Sequence, residues 1–267
     1  MLIIGERINS TRKAIGRAIE ERNREAVREE ALRQAAAGAA VLDVNCGTLP
    51  VDVEPGTLAW LVETVQSAVD LPLCLDSPNP EALAAALPAH KGRPFINSIS
   101  GEAERYGQVL PLARAYNARL IALGMDDAGI PKDGDQAFEV GERVVTKLLG
   151  DGIDLDAIYF DPLVRSVATS PGAVRETLDL MKRLSSRFPG LHLVSGLSNV
   201  SFGLPERRHL NRAFVVLSIA AGLDAVIMDP LDGPMIALIF ATEALLDKDR
   251  FCLNYIAAHH QGKLKVD

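Results

Sequence analysis

Five short apolar runs in this 267-residue chain stop abruptly at Asp or Asn: LDVN at 42–45, LCLDS at 73–77, INSIS at 96–100, YFDPL at 159–163 and GLSNV at 196–200. A continuous apolar run of this length suits a strand buried on both faces, and its C-terminal end is where polar groups emerge. Five such ends converge on one pocket if the strands are parallel and closed into a ring. That pocket is rich in amide and carboxylate groups and poor in cations. It suits a neutral, hydrogen-bonding heterocycle better than a phosphate.

The rest of the chain agrees with a ring. Apolar strands and helical segments alternate with a period of about 30 residues, the length of a βα unit. Strands are expected at about 2–5, 40–44, 73–75, 95–97, 120–123, 158–160, 191–194 and 225–228. Helices are expected at about 24–37, 58–69, after Pro80, and at 103–116, 137–149, 172–188, 210–221 and 235–246, with a helical turn in the tail. Gly38 suits a helix C-cap and Pro80 a first helical turn. Eight of each, with no Gly/Ser-rich or Pro-rich linker, predict one α/β domain over 1–267: a single (β/α)8 TIM barrel. Two long loops, 124–136 and 195–208, follow strands 5 and 7. Loops of that length usually have a function.

Composition excludes several classes. A net charge of −7 argues against general nucleic-acid binding, which needs a basic face. The apolar run from Leu2 is four residues long, too short for a signal segment, and no run approaches a membrane span. Three cysteines without CxxC spacing fit a reducing compartment. A cytoplasmic protein that does not engage membranes is the expectation. The five histidines show no zinc spacing, and neither a dinucleotide nor a P-loop fingerprint is present. Cys46 and Cys74 read as buried bystanders, and His259 and His260 as solvated tail residues.

The strand ends carry the candidate chemistry. Asp76 offers a carboxylate that accepts paired hydrogen bonds from a ring N–H and an exocyclic amino group, as in 2-amino-4-oxo heterocycles. Asn97 offers a donor and an acceptor, and Asp161 two more acceptors. Each residue also suits a simpler role, because Asp and Asn are favoured N-caps. Asn199 follows strand 7, beside Gly196, which permits close backbone approach. It suits either a donor to a ring nitrogen or an ordinary turn Asn. Asp43 and Asn45 support the pocket or cap locally. Glu6 and Arg7 read as a salt bridge at the barrel top, and Asn9 as a residue reaching a ligand.

Taken together, MLIIGERIN, LCLDS, INS, GIPKD, the Asp-Pro-Leu after strand 6, GLSNVS, and LNRAF followed by AGLDAVI resemble the methyltetrahydrofolate:corrinoid protein methyltransferases. The resemblance covers nearly the whole chain, in order. It implies a pterin-binding barrel and a substrate, tetrahydrofolate or 5-methyltetrahydrofolate. By resemblance, Asp76, Asn97 and Asp161 are pterin-ring binders. Asn199 lies near N5 of the folate, with Gly196 and Ser198 beside it. Met125 and Arg207 match positions near the benzoyl and glutamate end. Phe202 departs from the polar residue expected there, and Arg208 competes with Arg207 for the folate tail.

The resemblance also implies a cobalamin carried by a separate corrinoid protein, bound transiently over the mouth, and a homodimer. Asn199 is then the group that stabilises charge developing at N5, tuned by Asp161. A dihydropteroate synthase reading needs basic groups for pyrophosphate, whereas strand 8 ends with Asp229 and Asp232, which repel one. A non-catalytic folate-binding protein, or a barrel acting on another heterocycle, shares the same ring-binding residues. The direction of methyl transfer is open in the sequence.

Overall fold

A computed structural model describes residues 1–265. Eight parallel strands close into a barrel in chain order: β1 (Leu2–Asn9), β2 (Val41–Asn45), β3 (Leu73–Asp76), β4 (Phe95–Ile99), β5 (Arg119–Leu123), β6 (Ile158–Asp161), β7 (His192–Gly196) and β8 (Ala225–Met228). Around them run α1 (Lys13–Glu20), α2 (Arg24–Ala36), α3 (Glu54–Gln66), α4 (Pro80–Ala86) and α5 (Ala103–Ala115). They are followed by α6 (Gly134–Gly150), α7 (Ala173–Arg187), α8 (Arg207–Ala220), α9 (Gly233–Leu245) and α10 (Leu253–His260).

Alternation along each strand divides the chain into two cores. Outward residues such as Leu42, Leu73, Ile96, Leu120, Ile158 and Leu193 pack beneath the helices. Inward residues, one per strand, form a separate plug: Ile4, Val41, Cys74, Phe95, Ile121, Tyr159, Val194 and Ala225. The lower end of the plug is aromatic. Tyr159 lies edge-on to Phe95 at 5.0 Å and stacks on His192 at 4.5 Å. Two residues further along each strand, the inward positions are Glu6, Asp43, Asp76, Asn97, Leu123, Asp161, Gly196 and Ile227. Five of those eight are polar or charged, so the layer at the C-terminal mouth is where solvation or a ligand must satisfy them.

Four expectations are corrected. The first strand does not stop at Gly5 but continues to Asn9, with a register irregularity between Gly5 and Ile8. Gly5 permits this: a Cβ there would lie 2.5 Å from Gln34 Oε1, which instead accepts from Arg7 N–H at 3.1 Å. A short helix, α1, follows, with Ile15, Ala18 and Ile19 buried at helical spacing. Glu6 and Arg7 do not pair with each other. Arg7 is bound by Glu30, and by Asp229 at 2.6 Å. Asn9 serves its own turn, its Oδ1 accepting from Thr11 N–H at 3.0 Å and Thr11 Oγ1 at 2.7 Å. Among the described residues, no helix is long and apolar enough to cross a membrane.

Candidate active site

The mouth layer is held by cross-strand contacts. Asp76 sits in register with Asn45 on one side and Asn97 on the other. Asn45 Nδ2 donates to Asp76 Oδ2 at 2.8 Å, and Asn45 Oδ1 accepts from Gly47 N–H at 3.0 Å. Beneath them lies Asp43, only 2% exposed, with Oδ1 lacking any partner. Burial, then the neighbouring Asp76, pushes the Asp43 carboxyl well above its ordinary range. Asp76 is pushed up to about 6, first by burial and against the stabilising bond from Asn45. Across the ring, burial also raises Asp161 to about 6, although Leu163 N–H donates to its Oδ1 at 2.8 Å. Glu6, missed as a site residue because its strand was ended at Gly5, is raised to about 7 by burial and by Asp229.

None of the three ring-binding candidates is a helix N-cap. The residues preceding α4, α5 and α7 are Asn79, Glu102 and Gly172. The polar ends of β3, β4 and β6 therefore owe their positions to something other than capping, apart from the local turn made by Asp161.

Two cavities flank the mouth on opposite sides of the ring. One, of about 510 Å³, lies over β3 to β5 and is lined by Asp76, Asn97, Ser98, Arg105 and Leu123, among others. The other, of about 550 Å³, lies over β7, β8 and β1, with Glu6, Ser198, Arg208, Arg212 and Asp229 in its wall. So Asp76 and Asn97 meet in one cavity and Ser198 lines the other. Asp161 and Gly196 belong to the layer between, where Gly196 faces open space. Asn199 is exposed in the 3₁₀ turn Leu197–Ser201, and its side chain has no partner among the described residues. Met125 is half-buried at the start of the loop after β5, where its carbonyl accepts from Gly101 N–H at 2.8 Å.

Arg207 and Arg208 separate by geometry. Arg207 turns back on the Leu197–Ser201 turn, donating to the Ser198 carbonyl and to Ser201 Oγ at 3.1 Å. Arg208 lines the larger cavity. Phe202, which replaces an expected polar residue, is 68% exposed. The strand 8 carboxylates are not bare. Asp229 meets Arg7 at 2.6 Å and Arg12 at 3.7 Å, and Asp232 meets Arg212 at 2.6 Å. Repulsion of a pyrophosphate by unpaired carboxylates is therefore not available as a reason against a synthase. Cys46 is buried, its thiol pushed up to about 12, which suits a bystander and not a nucleophile.

Residues 5–229 match the family of pterin binding enzymes. The chain belongs to that family. It is 38% identical over 266 residues to the methylcorrinoid:tetrahydrofolate methyltransferase of Eubacterium limosum, covering 99% of this chain and 98% of that one. Likeness at this level over both whole chains makes the protein a methyltransferase. It is also 30% identical over 241 residues to the methionine synthase of Mycobacterium tuberculosis, spanning 85% of this chain but 20% of that much longer one. Among solved structures, the dihydropteroate synthase of Xanthomonas albilineans in complex with 7,8-dihydropteroate superposes with a TM-score of 0.70 at 21% identity, covering 92% of each chain. At that identity the likeness speaks for the pterin-binding barrel alone. The distinction from a synthase rests on the methyltransferase relative, which the charges of strand 8 do not supply.

Proposed function

We propose that the protein moves a methyl group between N5 of tetrahydrofolate and the cobalt of a corrinoid held by a separate protein, in the direction named for the Eubacterium limosum relative, from methylcorrinoid to tetrahydrofolate. The observation that carries this reading is the pairing of a mouth layer built of Asp76, Asn97 and Asp161 with whole-length identity to that enzyme. The carboxylate of Asp76 keeps Oδ1 free of protein donors among the described residues, and so presents an acceptor to an amino-pyrimidine edge. Asn97 supplies the mixed partner beside it. Asp161, across the ring, accepts from the opposite edge.

The corrinoid supplies the cobalt centre that gives up or receives the methyl group. His192 is engaged by Asp224 at the far end of the barrel, and His90 accepts from Leu73 N–H, so neither framework histidine is available to that cobalt. The chain's own work is to bind and orient folate and to manage charge at N5. When a methyl group leaves N5, that nitrogen must gain a proton or a strong hydrogen bond, since its anion is a poor leaving group. In the other direction, N5 must present a lone pair and lose a proton. Asn199, whose amide makes no bond to the described residues, is free to donate to N5 or accept from its N–H. Met125 lies along the benzoyl side, with Arg207 stiffening the Ser198 turn and Arg208 in the cavity wall.

The partner surface is an open mouth, covered transiently. We further infer that α9 pairs with a second copy of this chain. Met235, Ile236 and Ile239 pack inward, yet Leu238 and Leu245 face outward, the latter 84% exposed. A helix apolar on both sides needs a second partner. Leu217 of α8 and Leu253 and Ile256 of α10, on the two helices that contact α9, are exposed as well, and the one acid of α9, Glu243, is taken up by the N-terminal amine. Two copies thus meet there without like-charge repulsion. Sedimentation equilibrium should give twice the chain mass, falling to one chain in Leu245→Glu. Three unpaired cysteines support a reducing, cytoplasmic setting.

The activity is tested by mixing the purified protein with tetrahydrofolate and free methylcobalamin, and in reverse with 5-methyltetrahydrofolate and cob(I)alamin, following the cobalamin spectrum. Protein-dependent conversion is expected. Saturable folate binding without conversion in either direction would leave a folate-binding protein. Absence of both would overturn the reading.

A further inference from the structure

Arg105, in the first turn of α5, has no place in any expectation drawn from the sequence. Its guanidinium reaches over the smaller cavity. Nε donates to Ser98 O at 2.8 Å, Nη1 to Pro78 O at 2.6 Å and Nη2 to Ser77 O at 2.8 Å. The acceptors belong to two segments: 77–78 leaves Asp76 at the end of β3, and Ser98 lies within β4 beside Asn97, where that strand shifts register against β5. Ser77 N–H also donates to Asn97 O at 3.0 Å, so the two segments are joined twice.

All three nitrogens of the fork are thus used on backbone carbonyls, and Arg105 forms no salt bridge among the described residues. A planar, permanently charged fork suits this bridging, and a lysine cannot reproduce it. The charge matters as well. Asp76 faces Asp43 and Asn45 of β2, Glu54 of α3, and Glu102, Glu104 and Asp127 around the cavity. Among the described residues lining that cavity, Arg105 is the only cation.

We propose that Arg105 is a positioning residue for the heterocycle: it clasps the backbone just beyond Asp76 in β3 to that just beyond Asn97 in β4, and its charge keeps Asp76 an acceptor amid surrounding acids. The inference rests on the folate reading above. Its two parts, clasp and charge, separate experimentally.

The test is tetrahydrofolate titration from pH 5 to 9 for the wild type, Arg105→Gln and Arg105→Lys, with thermal melting of each. The wild type should bind with an affinity that falls below about pH 6. Removing a neighbouring opposite charge raises a carboxylate midpoint, by about one unit at the low end of the usual effect. Arg105→Gln should therefore shift that midpoint upward by about that amount, which a purely structural arginine would not do. Arg105→Lys should hold the midpoint near the wild-type value yet bind roughly tenfold more weakly at pH 8, having lost the fork. An unmoved midpoint in Arg105→Gln overturns the role of the charge. Unchanged affinity at pH 8 in Arg105→Lys overturns the clasp. Should Arg105→Gln fail to fold, Arg105→Lys decides alone: a midpoint displaced by a full unit despite the retained charge, or undiminished affinity, sinks the proposal. A wild type that binds no tetrahydrofolate overturns the folate reading itself, and this one with it.

Discussion

Asn45 Nδ2 and Asp76 Oδ2 meet at 2.8 Å across the register of β2 and β3, which anchors one oxygen of Asp76 and leaves the other facing the mouth. An amino-pyrimidine edge binds that carboxylate only when it is ionised, as it does that of Asp161. Both are raised to about 6. Folate affinity should be flat above about pH 7 and fall at least tenfold by pH 5, and Asp76→Ala should lose most of the affinity above pH 7, with its difference from wild type narrowing toward pH 5. Calorimetric titration across that range checks both.

Asn199 should matter to turnover and little to binding. Its side chain makes no bond among the described residues, so replacing it orphans no partner there. Loss of one contact made only in the transition state lowers rate by about 10²–10³. Asn199→Ala is expected to lose that much in kcat while tetrahydrofolate affinity stays within a few-fold, measured by single-turnover kinetics beside equilibrium titration. Near-normal kcat would remove Asn199 from the chemistry.

Asp161→Asn should make the free protein more stable while weakening folate binding. The folded carboxyl binds its proton more tightly than an unfolded Asp, about 6 against 3.8. Between those values the folded state holds more protons, so stability falls as pH rises through that window and stays lower above it. An amide escapes this. At pH 7.5 the gain should be on the order of 3 kcal/mol, read from urea unfolding, and should vanish below about pH 4.

His192 gives a second window of the same sign, at higher pH and at the other end of the barrel. A hydrogen bond donated by Nδ1–H to Asp224, at 2.7 Å, raises its pKa above 6.5 despite partial burial. Because the folded value is raised, the stabilisation is fully present below the unfolded pKa and is lost as pH climbs through the folded one. The melting temperature of Asp224→Asn should therefore lie furthest below wild type near pH 5.5 and approach it toward pH 9. A difference that does not change with pH would contradict this.

The ring itself is legible because strands buried on both faces leave apolar runs of characteristic length. All eight strands lie within a few residues of where those runs place them, and β8 matches at both ends. Two things escape. Glu6 and Arg7 look like surface charge, since a charged pair ends an apolar run on paper. In the fold, Gln34 replaces the lost ladder partner and carries β1 onward to Asn9. The clasp by Arg105 joins residues 27 and 28 positions apart through backbone carbonyls, which carry no side-chain signature at all. The period-two spacing from Val41 to Asp43 and from Ile4 to Glu6 is the one signal that points both acids inward.

The aromatic stack of Phe95, Tyr159 and His192 stoppers the lower end of the barrel. A lumen closed at its floor has a single doorway, so methyl donor and methyl acceptor must enter and depart by the same opening. On the function proposed above, folate would be seated before a bulkier carrier protein docks over that opening, and released only after the carrier withdraws. Turnover on such a scaffold would be an ordered sequence, imposed by a plug remote from any reacting atom.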